Sequence, residues 1–254
     1  MSERQKLNIV DFKDLEHVTI VAFGDNHVGS KHCDEDLLKR HIDWVMKTPN
    51  NFALFIGDNI DAATRDSVGA GVYEQSEIIQ EQMEHWCDLV RPLANHGKII
   101  GTHDGNHERR VWKSSGILIG KVMAKDLGIK YLGPSVMHLV RVGGESYTMY
   151  STHGSGGSRL PHTKIKAVLD RANMVDAEVY VMGHLHNLSH HVRQYYFIDK
   201  KSKSVREGEK HFVICGSYLN HWNSYAEEAG YEMMKKGSAK IKLSGLEHRI
   251  RVSL

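Results

Sequence analysis

Val18-Thr-Ile-Val-Ala-Phe23-Gly24-Asp25-Asn26-His27 is the stretch that decides the fold. An unbroken apolar and β-branched run into a glycine predicts a strand buried on both faces. The run delivers a carboxylate and an imidazole, two residues apart, at the strand's carboxyl end. The same grammar recurs along the chain. Phe52–Ile56 leads into Gly57-Asp58-Asn59-Ile60-Asp61, and Lys98–Gly101 shortly precedes Gly105-Asn106-His107-Glu108. Ser146–Ser151 leads into Thr152-His153-Gly154, and Glu178–Met182 into Gly183-His184-Leu185-His186.

Between the early strands lie segments with helical spacing: Cys33–Lys47, Tyr73–Leu93 and Gly116–Leu127, with a further one at Thr163–Ala172. Later the texture becomes hairpin-rich. Val136–Val142 and Ser146–Ser151 flank Gly143-Gly144, His190–Asp199 and His211–Cys215 flank a polar loop, and Ala239–Leu243 with Glu247–Val252 form a final pair. No repeat, low-complexity tract or Pro/Ser linker divides the chain. The expectation is an α/β fold formed by residues 1–254 as a single domain: a four-layer αββα sandwich of two mixed β-sheets flanked by helices. Ligands of such sheets gather beyond the carboxyl ends of the strands, where these motifs fall.

The formal net charge of +2 over 254 residues gives no strong global attraction to nucleic acid or membrane. Cys33, Cys87 and Cys215 are dispersed and odd in number, which argues against a disulfide framework. The polar start, Met1–Lys13, has no apolar run like that of a secretory signal, and no stretch reaches the ~20 apolar residues of a membrane span. These features predict a cytoplasmic protein without a membrane partner. They leave the oligomeric state open.

Taken singly, each motif has a plain structural reading, since Asp and Gly favour turns. Together they offer carboxylate, amide and imidazole ligands at successive strand ends. Two divalent cations ~3.5–4 Å apart repel each other, and a shared carboxylate offsets that repulsion. Mixed oxygen and nitrogen donors suit manganese, iron, zinc or nickel better than calcium or magnesium, without selecting among them; manganese is the first expectation.

The order D-x-H, G-D-x-x-D, G-N-H-E, H-G, G-H-x-H, over about residues 18 to 190, resembles the calcineurin-like metallophosphoesterase superfamily. The resemblance implies one metal held by Asp25, His27, Asp58 and His186, and a second held by Asp58, Asn106, His153 and His184. It implies that His107 is no ligand but serves the leaving oxygen, and that Asp61 pairs with His107 and fixes its tautomer. It gives Glu108 no direct role. The chemistry implied is attack on phosphorus by a hydroxide bridging the two metals.

For substrate contacts the candidates are Arg65, Arg109 and Arg110, which lie near the motifs and can grip a phosphate in bidentate fashion. The Gly/Ser loop at 155–159 can present backbone N–H groups. Lys200, Lys201, Lys203, Arg206 and Lys210 cluster on one hairpin, where they either track a nucleic-acid backbone or form a solvated tip. Trp222, Tyr225 and Tyr231 are expected to pack on the core. Protein Ser/Thr phosphatases of the superfamily carry an arginine where this chain has Ala62. The expectation is therefore a metal-dependent phosphoester hydrolase, leaning to phosphodiesters of nucleic acid or (cyclic) nucleotides. The alternative is a phosphomonoesterase acting on protein or small molecules. A non-catalytic scaffold is opposed by the intact ligand positions.

Overall fold

Residues 7–64, 67, 72–157, 160–224, 227, 230 and 232–254 are described by the computed structural model. Two six-stranded sheets pack face to face. One has the order β1-β6-β7-β8-β10-β9, the other β12-β11-β2-β3-β4-β5. In the second sheet β2 (His17–Phe23), β3 (Asn51–Phe55), β4 (Ile99–His103) and β5 (Tyr131–Gly133) run parallel. The tail strands β11 (Ala239–Ser244) and β12 (Ile250–Ser253) are added antiparallel on the β2 side. The first sheet mixes parallel β1 (Leu7–Phe12) with the β6–β7 hairpin (Ser135–Val142 and Glu145–Thr152), then β8 (Val179–Met182) and the β9–β10 hairpin (Ser189–Asp199 and Ser204–Ile214).

Period-2 alternation along β2 explains the layering. Ile20 and Ala22 point between the sheets, where they meet Val140, Met149, Val181 and Val213. Val21 and Phe23 point the other way, into a layer with Leu38, Ile42, Trp86, Val90 and Met123. That outer layer comes from α1 (Glu35–Lys47), α2 (Ile79–Asn95) and α4 (Ile119–Asp126). On the far side Val168 of α5 (Pro161–Leu169) packs with Tyr180 and Phe212. The expected four-layer αββα sandwich is what forms.

Several local expectations shift. The helix expected from Tyr73 begins only at Ile79, because Glu74 and Ser76 exchange backbone bonds of 2.9 Å with Lys31 and Gly29 instead. The helix expected over Gly116–Leu127 forms as α4, from Ile119 to Asp126, and a helix without a sequence expectation, α3 (Asn106–Ser115), precedes it and ends where Gly116 turns to φ 74°. Strands β1 and β5 carry no sequence expectation; both are short, and β1 pairs only at a sheet edge. Trp222 is 67% exposed rather than packed on the core, while Tyr225 and Tyr231 lie outside the described residues. The three cysteines are free. No helix among the described residues is long and apolar enough to cross a membrane.

Candidate metal centre

The loops after β2, β3, β7 and β8, and the start of α3, meet at one end of the sandwich. Asp25 (φ 52°), His27 (φ 52°), Asp58 (φ 50°), His184 (φ 67°) and His186 (φ 48°) all hold left-handed backbone conformations. Outside glycine this region is uncommon, and Asp, Asn and His are the residue types that enter it most readily. It costs about 1 kcal/mol or more per residue, so neighbours must enforce it. Asp25 N–H donates to Gly57 O (3.1 Å), His27 N–H to Asp58 O (3.0 Å), and His184 N–H to the Asp25 carboxylate (3.0 Å). A Cβ on Gly105 would overlap the Asp58 carboxylate, so that glycine is what lets the second and third loops touch.

Glu108 is the residue that sequence reasoning left without a role. Its buried carboxylate accepts from the backbone N–H groups of Asp58 (3.1 Å), Asn59 (2.7 Å) and Gly105 (2.7 Å). It therefore ties the β3 loop to the start of α3. Burial, together with the nearby Asp58 and Asp104, pushes its carboxyl up to about 7. The signal was legible: a Glu three residues into a helix, reaching back to the cap N–H, is a capping box.

Two donor groups emerge, Asp25/His27/His186 and Asp58/His153/His184, each with ligand atoms within 4.8 Å of one another. A third, His27/Asp58/His107, links them, sharing His27 with the first and Asp58 with the second. Their hydrogen-bond chemistry tests whether cations fit. His153 Nδ1–H donates to Ile56 O (2.9 Å), which leaves the Nε2 lone pair 3.0 Å from Asn106 Oδ1 and 3.3 Å from Asp58 Oδ2. His184 Nε2–H donates to Gly156 O (2.7 Å), which leaves Nδ1 facing Asn106 Oδ1 at 2.7 Å. His27 Nδ1–H donates to Asp61 Oδ1 (3.2 Å), which leaves Nε2 facing His186 Nε2 at 3.3 Å. Acceptors thus converge on acceptors. Such a donor set fits cations, and outer hydrogen bonds of this kind orient imidazole lone pairs toward a metal.

The buried carboxylates give the same picture. Burial opposes the charge on Asp58, yet His107 and His153 hold its carboxyl well below the usual range. Burial likewise opposes charge on His153, and Asp58 outweighs it, raising that imidazole to about 10. The two groups want a positive charge between them, and a divalent cation supplies it with the imidazole neutral.

All seven residues predicted as ligands are therefore brought together. His107 stands beside them. Its ring lies 4.5 Å from that of His27, and its Nδ1–H donates to the backbone carbonyl of Asp61 (2.5 Å), with the Asp61 carboxylate 3.4 Å away. Arg110 donates to His107 Nε2 at 3.1 Å. Arg109 is exposed, with its guanidinium 5.5 Å over the Trp112 ring. Arg65 lies outside the described residues, as do Ser158 and Arg159 of the Gly/Ser loop. The described part of that loop offers the site a carbonyl, Gly156 O, which His184 takes. Ala62 is buried at φ 42°, and its N–H donates to Gln82 Oε1 at 2.8 Å.

A two-sheet α/β sandwich with an Asp/Asn/His donor set at one end is the class that fold and site define. It is the architecture that the resemblance to the calcineurin-like metallophosphoesterases implies. Neither a family profile nor a curated protein matches the chain. Among solved structures, the chain is similar to Vacuolar Protein Sorting 29 from Cryptosporidium parvum (13% identity, 93% of this chain and 97% of that one, TM-score 0.46). It is also similar to a conserved protein of Streptococcus pneumoniae TIGR4 described as a predicted phosphoesterase (14% identity, 93% and 88%, TM-score 0.39). A third is Haemophilus influenzae NAD nucleotidase (11% identity, 94% of this chain and 49% of that one, TM-score 0.43).

Proposed function

We propose that this chain is a dinuclear-metal phosphoester hydrolase acting on phosphodiesters, of nucleic acid or of (cyclic) nucleotides. The observation that supports the reading is Asp58, whose carboxylate lies within reach of His153 and His184 on one side and of His27 on the other, as one carboxylate shared by two cations would. Asp25, His27, Asp58 and His186 would hold one ion, and Asp58, Asn106, His153 and His184 the other, with manganese the first choice. When bound, such a pair supplies Lewis-acid polarisation of phosphoryl oxygens and lowers the pKa of a coordinated water to about 7.

The chain's own residues do the rest. Asp61 holds His107 through its carbonyl, which fixes the ring and leaves Nε2 as the working atom. Once Arg110 leaves His107 Nε2 for a phosphoryl oxygen, a proton taken up at Nε2 would pass to the departing oxygen, a positioned acid worth ~10²–10⁴-fold. Arg110, already at His107 Nε2, is placed to take a phosphoryl oxygen when substrate enters. Glu108 keeps the Asp58 and Asn106 loops in register, so that both ligand sets stay preorganised.

A phosphomonoesterase is the second reading. One observation favours it: the basic hairpin loop lies at the end of its sheet opposite the donor groups, so its charges do not line the site. The deciding experiment compares bis-p-nitrophenyl phosphate with p-nitrophenyl phosphate after manganese loading, alongside a metal count. Faster diester hydrolysis supports the proposal. A strong monoester preference transfers the site to the second reading, and inertness with two bound metals would restore the scaffold.

A further inference from the structure

Strands β9 and β10 outrun the sheet that holds them. Of β10, only His211–Ile214 pair with β8, whereas pairing with β9 extends from Ser204 to Ile214. The earlier part of β10 and its β9 partners form a two-stranded ribbon. His184 and His186 follow the carboxyl end of β8, but the ribbon leaves beyond its amino end, so it points away from the metal centre.

A lone two-stranded ribbon is marginal in water. This one nevertheless exposes Tyr196 (74%), Ile198 (73%) and Val205 (69%). Ile198 opposes Val205, and by alternation Tyr196 and Val192 share that face. β9 ends its sheet, and among the described residues no backbone hydrogen bond outside the β9–β10 ladder involves it. Edge strands normally carry lysine, proline or a bulge that blocks pairing. β9 has none of these: its register with β10 runs unshifted, and the lysines Lys200, Lys201 and Lys203 sit in or beside the turn.

We infer that β9 pairs antiparallel with β9 of a second copy of this chain about a two-fold axis, giving a continuous four-stranded ribbon. The strand's own sequence points to this occupant. A two-fold normal to the sheet keeps opposed residues on one face, so the axis must pass through a residue. Only an axis at Gln194 pairs all 11 residues. That register sets Val192 against Tyr196, Arg193 against Tyr195, His191 against Phe197, His190 against Ile198, and Ser189 against Asp199. No like charges meet, and Val192 comes against the exposed Tyr196. An axis at Arg193 would oppose two arginines. Nucleic acid fits the ribbon less well, because Arg206 is already paired with Asp199 (3.0 Å) and Lys210 with Asp176 (2.5 Å).

The test is sedimentation equilibrium of the full chain from micromolar to hundred-micromolar concentration. The expected mass is twice 28.8 kDa, halved in Tyr196→Glu/Ile198→Glu with ester hydrolysis unchanged. A Gln194→Cys variant should form a disulfide-linked dimer under mild oxidation, since opposed Cα atoms ~4.5–5.5 Å apart suit a disulfide. Ile198→Cys, whose partner is His190, should not. A wild-type monomer at all concentrations overturns the proposal, as does a dimer that survives the double variant. It also fails if Gln194→Cys and Ile198→Cys cross-link equally, or if the wild type is monomeric and the double variant loses only oligonucleotide binding.

Discussion

Strand β10 passes through two different environments along its length. At Phe212–Ile214 it is buried on both faces between β8 and β9, and it delivers the chain to Cys215 beneath the Asp25 loop. At Ser204–Arg206 it is exposed and has only β9 for company. At the first end backbone strain is concentrated and every loop is tied to another. At the second end one turn residue, Lys203 (φ 54°), is left-handed, and apolar side chains lie open. Strain is affordable only where neighbours over-determine it. The metal centre is therefore placed where five loops brace one another, and the surface left for a partner is placed where nothing does.

The largest effect should come from Asp58→Ala, which removes the carboxylate proposed to serve both cations. Both metals should be lost and turnover should drop by roughly 10³-fold or more. Retention of two metals by inductively coupled plasma analysis would break the shared-ligand account. His107→Ala should cost ~10²–10⁴-fold in kcat while both metals remain. A metal count that falls in this variant would make His107 a ligand, as its place in a donor group permits.

Glu108→Ala tests the bracing directly. It leaves three buried N–H groups without their acceptor. Thermal or urea unfolding should show a loss of ~3 kcal/mol or more. A loss under half that would mean that water replaces the carboxylate and the loops brace themselves.

A fourth test lies between the two ends, in a buried chain linking the sheets. His138 bonds Ser151 Oγ (2.6 Å) and Asn8 (3.1 Å), while His103 bonds the same Ser151 Oγ (2.7 Å). Burial, helped by the charges of His103 and Lys130, pushes His138 down to about 3. The unfolded chain takes up this proton near pH 6.5 and the folded chain does not, so stability falls as pH drops from about 6.5 toward 3, by a few kcal/mol at most. Urea midpoints across that range should be flatter in His138→Gln; an unchanged slope would assign the acid sensitivity to other groups. The smallest effect is expected at the ribbon turn. Replacing Lys200, Lys201 and Lys203 by alanine should leave ester and oligonucleotide hydrolysis within about twofold, since surface changes remote from a site perturb little. A large rise in KM for oligonucleotide alone would bring the ribbon back toward the substrate.

Much of the site was legible because its ligands are local in kind. A glycine beside Asp or His after a buried strand is written in a few consecutive residues, as at Gly24–His27 and Gly183–His186. The αββα layering was legible for the same reason, since both faces of β2 are apolar. The cap that Glu108 makes on Gly105 was legible, but its clamp on the second loop was not, because Asp58 and Asn59 are 50 and 49 positions away. The basic hairpin was ambiguous in sequence because charge alone carries no direction. The pairing of β10 with β8 is what turns it away from the site.

The sequence by itself determined the strand-then-ligand grammar, the donor types and hence the kind of cations that fit, because periodicity and ligand hardness are properties of short segments. Only the tertiary structure decided that Asp58 sits between the donor groups, that Glu108 clamps two loops, that Arg110 rather than Arg109 faces His107, and that the ribbon leaves from the other end. Each of these depends on which strand lies beside which, and that is settled by burial of the whole sandwich rather than by any one stretch of chain.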